Sequence, residues 1–401
     1  MVFAGMAGSR VKKLTPTQLQ QDRFRGTGIL YECSFDELAA LPVRPGFERF
    51  GASAYFDSEA RLKSIHWTAR GELKYPGDFD WEHAKWVFRC SALVGITANE
   101  HLLQMHFIYA NVVTTKAREV LPRDHPIRRL IKPFNHRTPD VNLGATRFLT
   151  KEYSLLSRAL SLTFEGVQTA FKLTLNATRL GGERNPMAFA TELTEELGEK
   201  YPFGVDGAEF YDVVKKFVRA YLKIYYPSDE LLVADREAQQ FWTEMRAYRY
   251  PPESPTSMPR WGNTTGLEGE NPWSELTCDL LASYIFRVTG SHHVVGNVAE
   301  YLLTPEFAAT RLRKGYDIAD VETSFYGLMI AVLTGLKATK LMNDFKHLLL
   351  EDEHRKQTEA VFDTLQNDLV KLADRIDQRN MQRTWKFYGF HPRRLLSSIS
   401  I

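Results

Sequence analysis

Apolar positions recur at three- and four-residue spacing through ATELTEELGEKY (190–201), DVVKKFVRAYLKIYY (212–226), ETSFYGLMIAVLTGLKATKLMNDF (322–345) and TEAVFDTLQNDLVKLADRIDQRN (358–380). That spacing predicts amphipathic helices. The run LASYIFRVTGSHHVVGNVAEYLL (281–303) is apolar or small on nearly every side, as expected of a helix buried among the others. Short β-compatible runs such as ASAYF (52–56) and LKSIHW (62–67) fall in the first 75 residues and are too few for a barrel. The stretch 250–273, rich in Pro, Gly, Ser and Asn, reads as a surface crossing rather than a lid. No repeat, low-complexity tract or linker divides residues 78–401. The pattern predicts a mainly α protein with little β: a segment 1–75 packed on the core, and one large helical domain over 76–401.

Polar side chains inside such helices need partners, since an unpaired buried His or Asn costs about 1–3 kcal/mol. Two pairs are informative. His101 and His106, in HLLQMH, are five apart and so about 140° out of register on a regular α-helix. A π-type turn, closed between residues five apart, brings them to one face and is expected here. His293 and Asn297 are four apart and would share a face of an α-helix, which favours His293 over the adjacent His292 as a ligand. His292 is left a structural or supporting role. The chain ends LSSISI, and Ile401 supplies a terminal carboxylate. Three imidazoles, one amide oxygen and one carboxylate form a mixed N/O set with room for a sixth position, better suited to iron, or alternatively manganese, than to tetrahedral zinc. Each pair alone is weak, because eleven histidines can fall five apart by chance and ordinary hydrogen bonds would also satisfy His293 and Asn297.

The surrounding text makes the pattern specific. DWEHAKWVF carries Trp81 and Lys85 in a W-x-x-A-K arrangement, and LPRDHPIRRLIKPF carries His125, Pro126 and Ile127. LLVADREAQQFWTEMR places Asp235, Glu237, Gln239, Trp242 and Glu244 in a D-x-E-x-Q-x-W-W-x-E frame, with Phe241 for one tryptophan. SHHVVGNVAEY, RIDQRN and SSISI complete the series. From about residue 78 to 401 the chain resembles the catalytic domain of lipoxygenases, as a short member without the N-terminal β-barrel. The resemblance implies a helical fold with a π-bulged central helix and a metal held by His101, His106, His293, Asn297 and Ile401. It further implies abstraction of hydrogen by the metal-bound hydroxide from a 1,4-diene of a polyunsaturated fatty acid, with O2 adding to give a hydroperoxide. NLGATRFL aligns Ala145 with a family position that steers product chirality and Leu149 with a substrate-clamping leucine. Departures accompany the matches. Asn111 stands where the family has a further histidine and is not expected to bind metal. Glu300 replaces a glutamine that links metal site to substrate cavity.

Composition narrows the partners. With 51 Lys+Arg against 49 Asp+Glu and no basic run interleaved with aromatics, nucleic acid is not expected. Three scattered cysteines, Cys33, Cys90 and Cys278, fit no metal or redox spacing. No apolar run is long enough to span a bilayer, and MVFAGMAGSR does not read as a signal peptide. A cytoplasmic enzyme with a small lipid or polyene substrate, O2, and at most peripheral membrane contact is expected. The short chain and Glu300 motivate a second reading, an oxygenase or isomerase tailoring a non-fatty-acid polyene or an aromatic specialised metabolite. A metal-free binding relative is a third, which the intact ligand set argues against.

Overall fold

The first 75 residues build a sheet before any long helix begins. A computed structural model of the chain describes residues 1–177, 184–247, 273–334 and 338–399. Five antiparallel strands pair in sequence order as a meander: β1 Val11–Lys13, β2 Ile29–Ser34, β3 Ser53–Asp57, β4 Leu62–Trp67 and β5 Glu72–Lys74. Every residue of β3 is buried, which is why its sequence SAYFD shows no polar face. Tyr55 meets Phe24 in a small outer cluster, while Phe56 meets Phe3 on the side of the main core. The described residues are nonetheless mainly helical, 59% helix against 8% strand, as the apolar spacing predicts.

The sheet leans on a rod that runs unbroken through α1 Trp81–Gly95, π1 Ile96–Ala110 and α2 Asn111–Val120. Gly51 N–H donates to Ser91 Oγ at 2.9 Å, and Phe35 packs 6.0 Å from Phe88. Ser9 Oγ and Arg10 Nε then hold the buried Glu100 at 3.1 and 2.5 Å. The N-terminal segment thus grips the rod one residue before His101.

Downstream, α3 Pro126–Ile131 packs on α5 Pro202–Tyr225, α4 Thr138–Phe148 lies against the rod, and α5 runs through the core against α6 Trp273–Phe286. Two motifs distant in sequence meet at α3. His125 caps the helix by accepting from Ile127 N–H at 3.2 Å, and its Nε2 faces Asp235 at 3.1 Å. The 281–303 run is not one helix. After α6 come π2 Arg287–Ser291 and α7 His292–Gly296, the chain leaves helical geometry at Asn297 (φ −77°, ψ 48°), and a short helix follows at Ala299–Leu302.

The pattern at 322–345 also overreaches. Helix α8 spans Val321–Thr334, and residues 338–345 are non-helical. There Leu341 N–H donates to Leu395 O at 2.9 Å and Ser397 N–H to Thr339 O at 2.9 Å, so pairing with the C-terminal tail wins over local helix periodicity. Helix α9 Arg355–Gln382 packs on α5 as its spacing predicts. At its end, Arg383 donates both Nη groups to the fully buried Asp206 at 2.7 and 2.8 Å, and Arg379 adds a third bond at 2.9 Å. Asn380 brackets Phe387, accepting from its N–H and donating to its carbonyl. The RIDQRN motif therefore launches the tail. Ser398 Oγ donates to His136 O at 2.8 Å and Thr138 Oγ1 to Ile399 O at 3.3 Å, bringing the tail to the start of α4. Ile401 and most of the 250–273 stretch lie outside the described residues. Among the described residues no helix is long and apolar enough to cross a membrane.

Candidate metal centre

Winding decides which side chains meet. Across π1 the five-residue step from His101 to His106 closes one wide turn, and the two rings stand with centroids 4.8 Å apart. The sequence pattern predicts a bulge at this point, and the structure extends the π winding over fifteen residues. A second π segment, π2, immediately precedes the histidine pair of α7 and resets its phase. The residue that turns toward His101 and His106 is His292.

Three Nε2 atoms form a nearly equilateral triangle: His101 to His106 3.1 Å, His101 to His292 3.1 Å and His106 to His292 3.1 Å. His106 and His292 are buried and His101 nearly so. Asn142 on α4 fixes one ring from behind. Its Nδ2 donates to His106 O at 2.8 Å, leaving Oδ1 to accept from His106 Nδ1–H at 3.1 Å. That proton assignment, made from the hydrogen-bond network, leaves His106 Nε2 as a lone pair aimed into the triangle. Burial pushes all three imidazoles down, His106 to about 4 and His101 and His292 well below their usual value, with mutual repulsion adding to the effect at His101 and His292.

Three neutral imidazoles cannot satisfy one another in this arrangement, because one N–H cannot point at two nitrogens at once. A cation satisfies all of them. Nitrogens sharing one transition-metal ion at about 2.1 Å stand about 3.0–3.4 Å apart, so the observed edges suit a single ion held by all three rings. The donor set fits a borderline transition metal.

The placement of the remaining predicted residues corrects the sequence reading. His293 does not join the triangle. It lies on another side of α7, lining a separate pocket with Asn297, Glu300, Tyr301, Lys386 and Arg394. Burial, with Lys340 and Arg394 adding, holds its imidazole down at about 4. The four-residue rule assumes an unbroken α-helix, whereas π2 shifts the face before the pair and the helix ends at Asn297. Asn297 therefore leaves the set with His293. Glu300 is largely exposed, its nearest cation being Arg394 at 4.0 Å, so it makes no link to the triangle.

Gly296, four residues after His292, takes the place that sequence counting gives to Asn297. A Cβ there would stand 2.8 Å from His101 Nε2, so the bare backbone is what lets this ring approach. Of the two pocket positions, Leu149 lines the cavity beside the triangle, while Ala145 is buried within α4 and is not part of that lining. Asn142 opens NLGATRFL and Gly296 lies in SHHVVGNVAEY, but neither carries a sequence signal of its role.

The triangle opens on a cavity of about 130 Å³ walled by His101, His106, Leu102, Leu149, Leu156 and Ile330, with Gly296 and Val298 on the α7 side. Its surface is almost entirely hydrocarbon. A redox-capable ion would thus face an apolar, largely dry space, a combination that suits oxidation of an apolar substrate.

The fold and site define a helical protein with a buried histidine cluster that could hold a metal ion, and comparison with known proteins sets it beside the lipoxygenases. The lipoxygenase family model matches residues 74–258. Lipoxygenase 2.2, chloroplastic, of Hordeum vulgare is 27% identical over 240 residues, covering 56% of this chain and 24% of the relative. The human polyunsaturated fatty acid lipoxygenase ALOX15B is 28% identical over 167 residues, covering 42% of this chain and 24% of the relative. A solved lipoxygenase in complex with arachidonate superposes with a TM-score of 0.85 at 15% identity, over 100% of this chain and 66% of that one. Coral 8R-lipoxygenase gives a TM-score of 0.83 at 15% identity, over 100% and 65%. At such identity these structures establish the fold. Residues 74–258 are thus similar to the lipoxygenase family, and the whole chain has the fold of the solved lipoxygenases. It spans about a quarter of the length of the curated relatives it matches.

Proposed function

We propose that this protein is a non-heme iron dioxygenase that oxidises the 1,4-diene of a polyunsaturated fatty acid to a hydroperoxide. The observation that carries this reading is the triangle of Nε2 atoms set in the wall of a hydrocarbon-lined cavity. The proposed ligands are His101, His106 and His292, with the Ile401 carboxylate as the anionic member. Ile401 is supported by the course of the tail, which α4 holds at Ile399, one turn before the Asn142 that orients His106. Iron is the favoured metal and manganese the alternative. When bound, such a metal supplies one-electron and O2 chemistry that side chains cannot.

The protein's own contribution is placement. Leu102, Leu149, Leu156 and Ile330 give a diene an apolar bed and exclude water from the radical it would become. Asn142 keeps the His106 lone pair directed inward, and Gly296 keeps the α7 side of the triangle clear. The relatives point the same way, one named as a polyunsaturated fatty acid lipoxygenase and one solved with arachidonate. Iron-loaded protein should consume O2 and develop conjugated-diene absorbance with linoleate, linolenate or arachidonate. Silence across that panel, with metal confirmed bound, sinks the reading. The small cavity favours, as a second reading, a more compact non-fatty-acid polyene, which would show as turnover of such compounds alone.

A further inference from the structure

A chain with nearly balanced charge concentrates five cations in one basin. Arg118 at the end of α2, Arg123 in the following turn, Arg128 and Lys132 along and after α3, and Arg137 before α4 line a cavity of about 510 Å³ together with His136. Among the described residues no carboxylate belongs to that lining. The nearest acids in sequence, Glu119, Asp124 and Asp140, are exposed and lie outside it, and Glu119 pairs with Lys116. Among the described residues, none of the five forms an ion pair, although other cations of this protein pair freely, as Arg129 does with Glu351. Like charges held together without counterions repel, and that repulsion must be met by something outside the chain.

The basin is built. Arg128 is fastened by donating to the carbonyls of Leu121 and Arg118, and burial together with Arg118 and Arg123 holds its guanidinium below its usual range. Arg137 sits in left-handed backbone geometry, φ 61° and ψ −4°, a conformation disfavoured for a residue with a side chain and most often retained at functional positions. Four of the five cations are arginines, whose planar fork matches two oxygens of one phosphate where lysine offers a point charge. The volume exceeds what a single inorganic oxyanion fills.

We propose that this basin binds a small anion bearing two or more phosphate groups, separately from the histidine triangle. Its rim is continuous with the machinery around that triangle, since His136 O holds Ser398 and Thr138 opens the helix that carries Asn142. The ligand chemistry is shared by free polyphosphates and by the headgroup of a bisphosphorylated lipid.

The test uses the full chain and two probes, inorganic tripolyphosphate in titration calorimetry and phosphatidylcholine vesicles with or without phosphatidylinositol bisphosphate in co-sedimentation. The exposed pair Arg118→Ala/Arg123→Ala is compared with wild type and with Lys371→Ala, a surface cation elsewhere. One tripolyphosphate per chain, weakening steeply with added salt and at least tenfold in the double variant but not in Lys371→Ala, supports a site for free polyphosphate. Sedimentation that needs the bisphosphate lipid and is lost in the double variant supports the lipid source. Absence of both, or binding that the double variant retains with unchanged strength, overturns the proposal. Neither readout depends on metal or turnover.

Discussion

His292 and His293 are neighbours in sequence but face different parts of the molecule, and replacing each in turn separates their roles. His292→Ala removes one corner of the triangle, so metal content measured by elemental analysis after equilibration with ferrous iron should fall to background. His293→Ala should leave it within twofold of wild type. Gly296→Ala is the subtler case: its Cβ would lie 2.8 Å from His101 Nε2, so that ring must swing out of the triangle. Metal affinity should drop at least tenfold while the melting temperature of the metal-free protein changes little. The His101 and His106 pair could be read from the sequence because the motifs on either side, around Trp81 and Lys85 and around His125, single out a spacing that is weak by itself. The partner could not, because HHVVGN offers two adjacent imidazoles and nothing in the run 281–303 announces π2 or the break at Asn297. A glycine that works by lacking a side chain leaves no positive trace in a single sequence.

At the scale of elements, the junction of α3 with the helix after Asp235 is set by one imidazole. His125 Nδ1 accepts from Ile127 N–H, so it must stay unprotonated, and Nε2–H faces Asp235. Burial is the largest influence and lowers the His125 pKa, with Asp235 opposing it only in part. A lowered histidine binds its proton less readily folded than unfolded, so its contribution to stability is complete above about pH 6.5 and is lost as pH falls below that value toward the folded pKa. Urea midpoints should therefore decline from pH 7.5 to 5.5, and His125→Gln should show a shallower decline. Elements were legible where amphipathic spacing persisted, as in α5 and α9. They were misread where a competing partner lay far along the chain, as at residues 338–345, whose backbone bonds go to the C-terminal tail.

Across the whole molecule, the N-terminal sheet and the C-terminal tail converge on the same rod, one through Arg10 and Glu100 and the other through α4. The tail depends on a charge that has no contact with water. Asp206 is fully buried and Arg383 supplies two of its hydrogen bonds. Arg383→Ala removes two of its three arginine hydrogen bonds and leaves Arg379 alone, and should destabilise the protein by about 3 kcal/mol, read from urea unfolding at neutral pH. Metal retention should fall as well, because the start of the tail at Arg383 loses its hold on Asp206 of α5.

The fifteen-residue π segment also bears on how this protein can vary. Deleting one residue between His101 and His106 would return that turn to α spacing and bring four-apart positions together, whereas exchanging an apolar residue there for another leaves the pitch intact. Within π1, length is therefore more tightly constrained than identity. Drift in proteins built on this rod should appear there as substitutions at constant length.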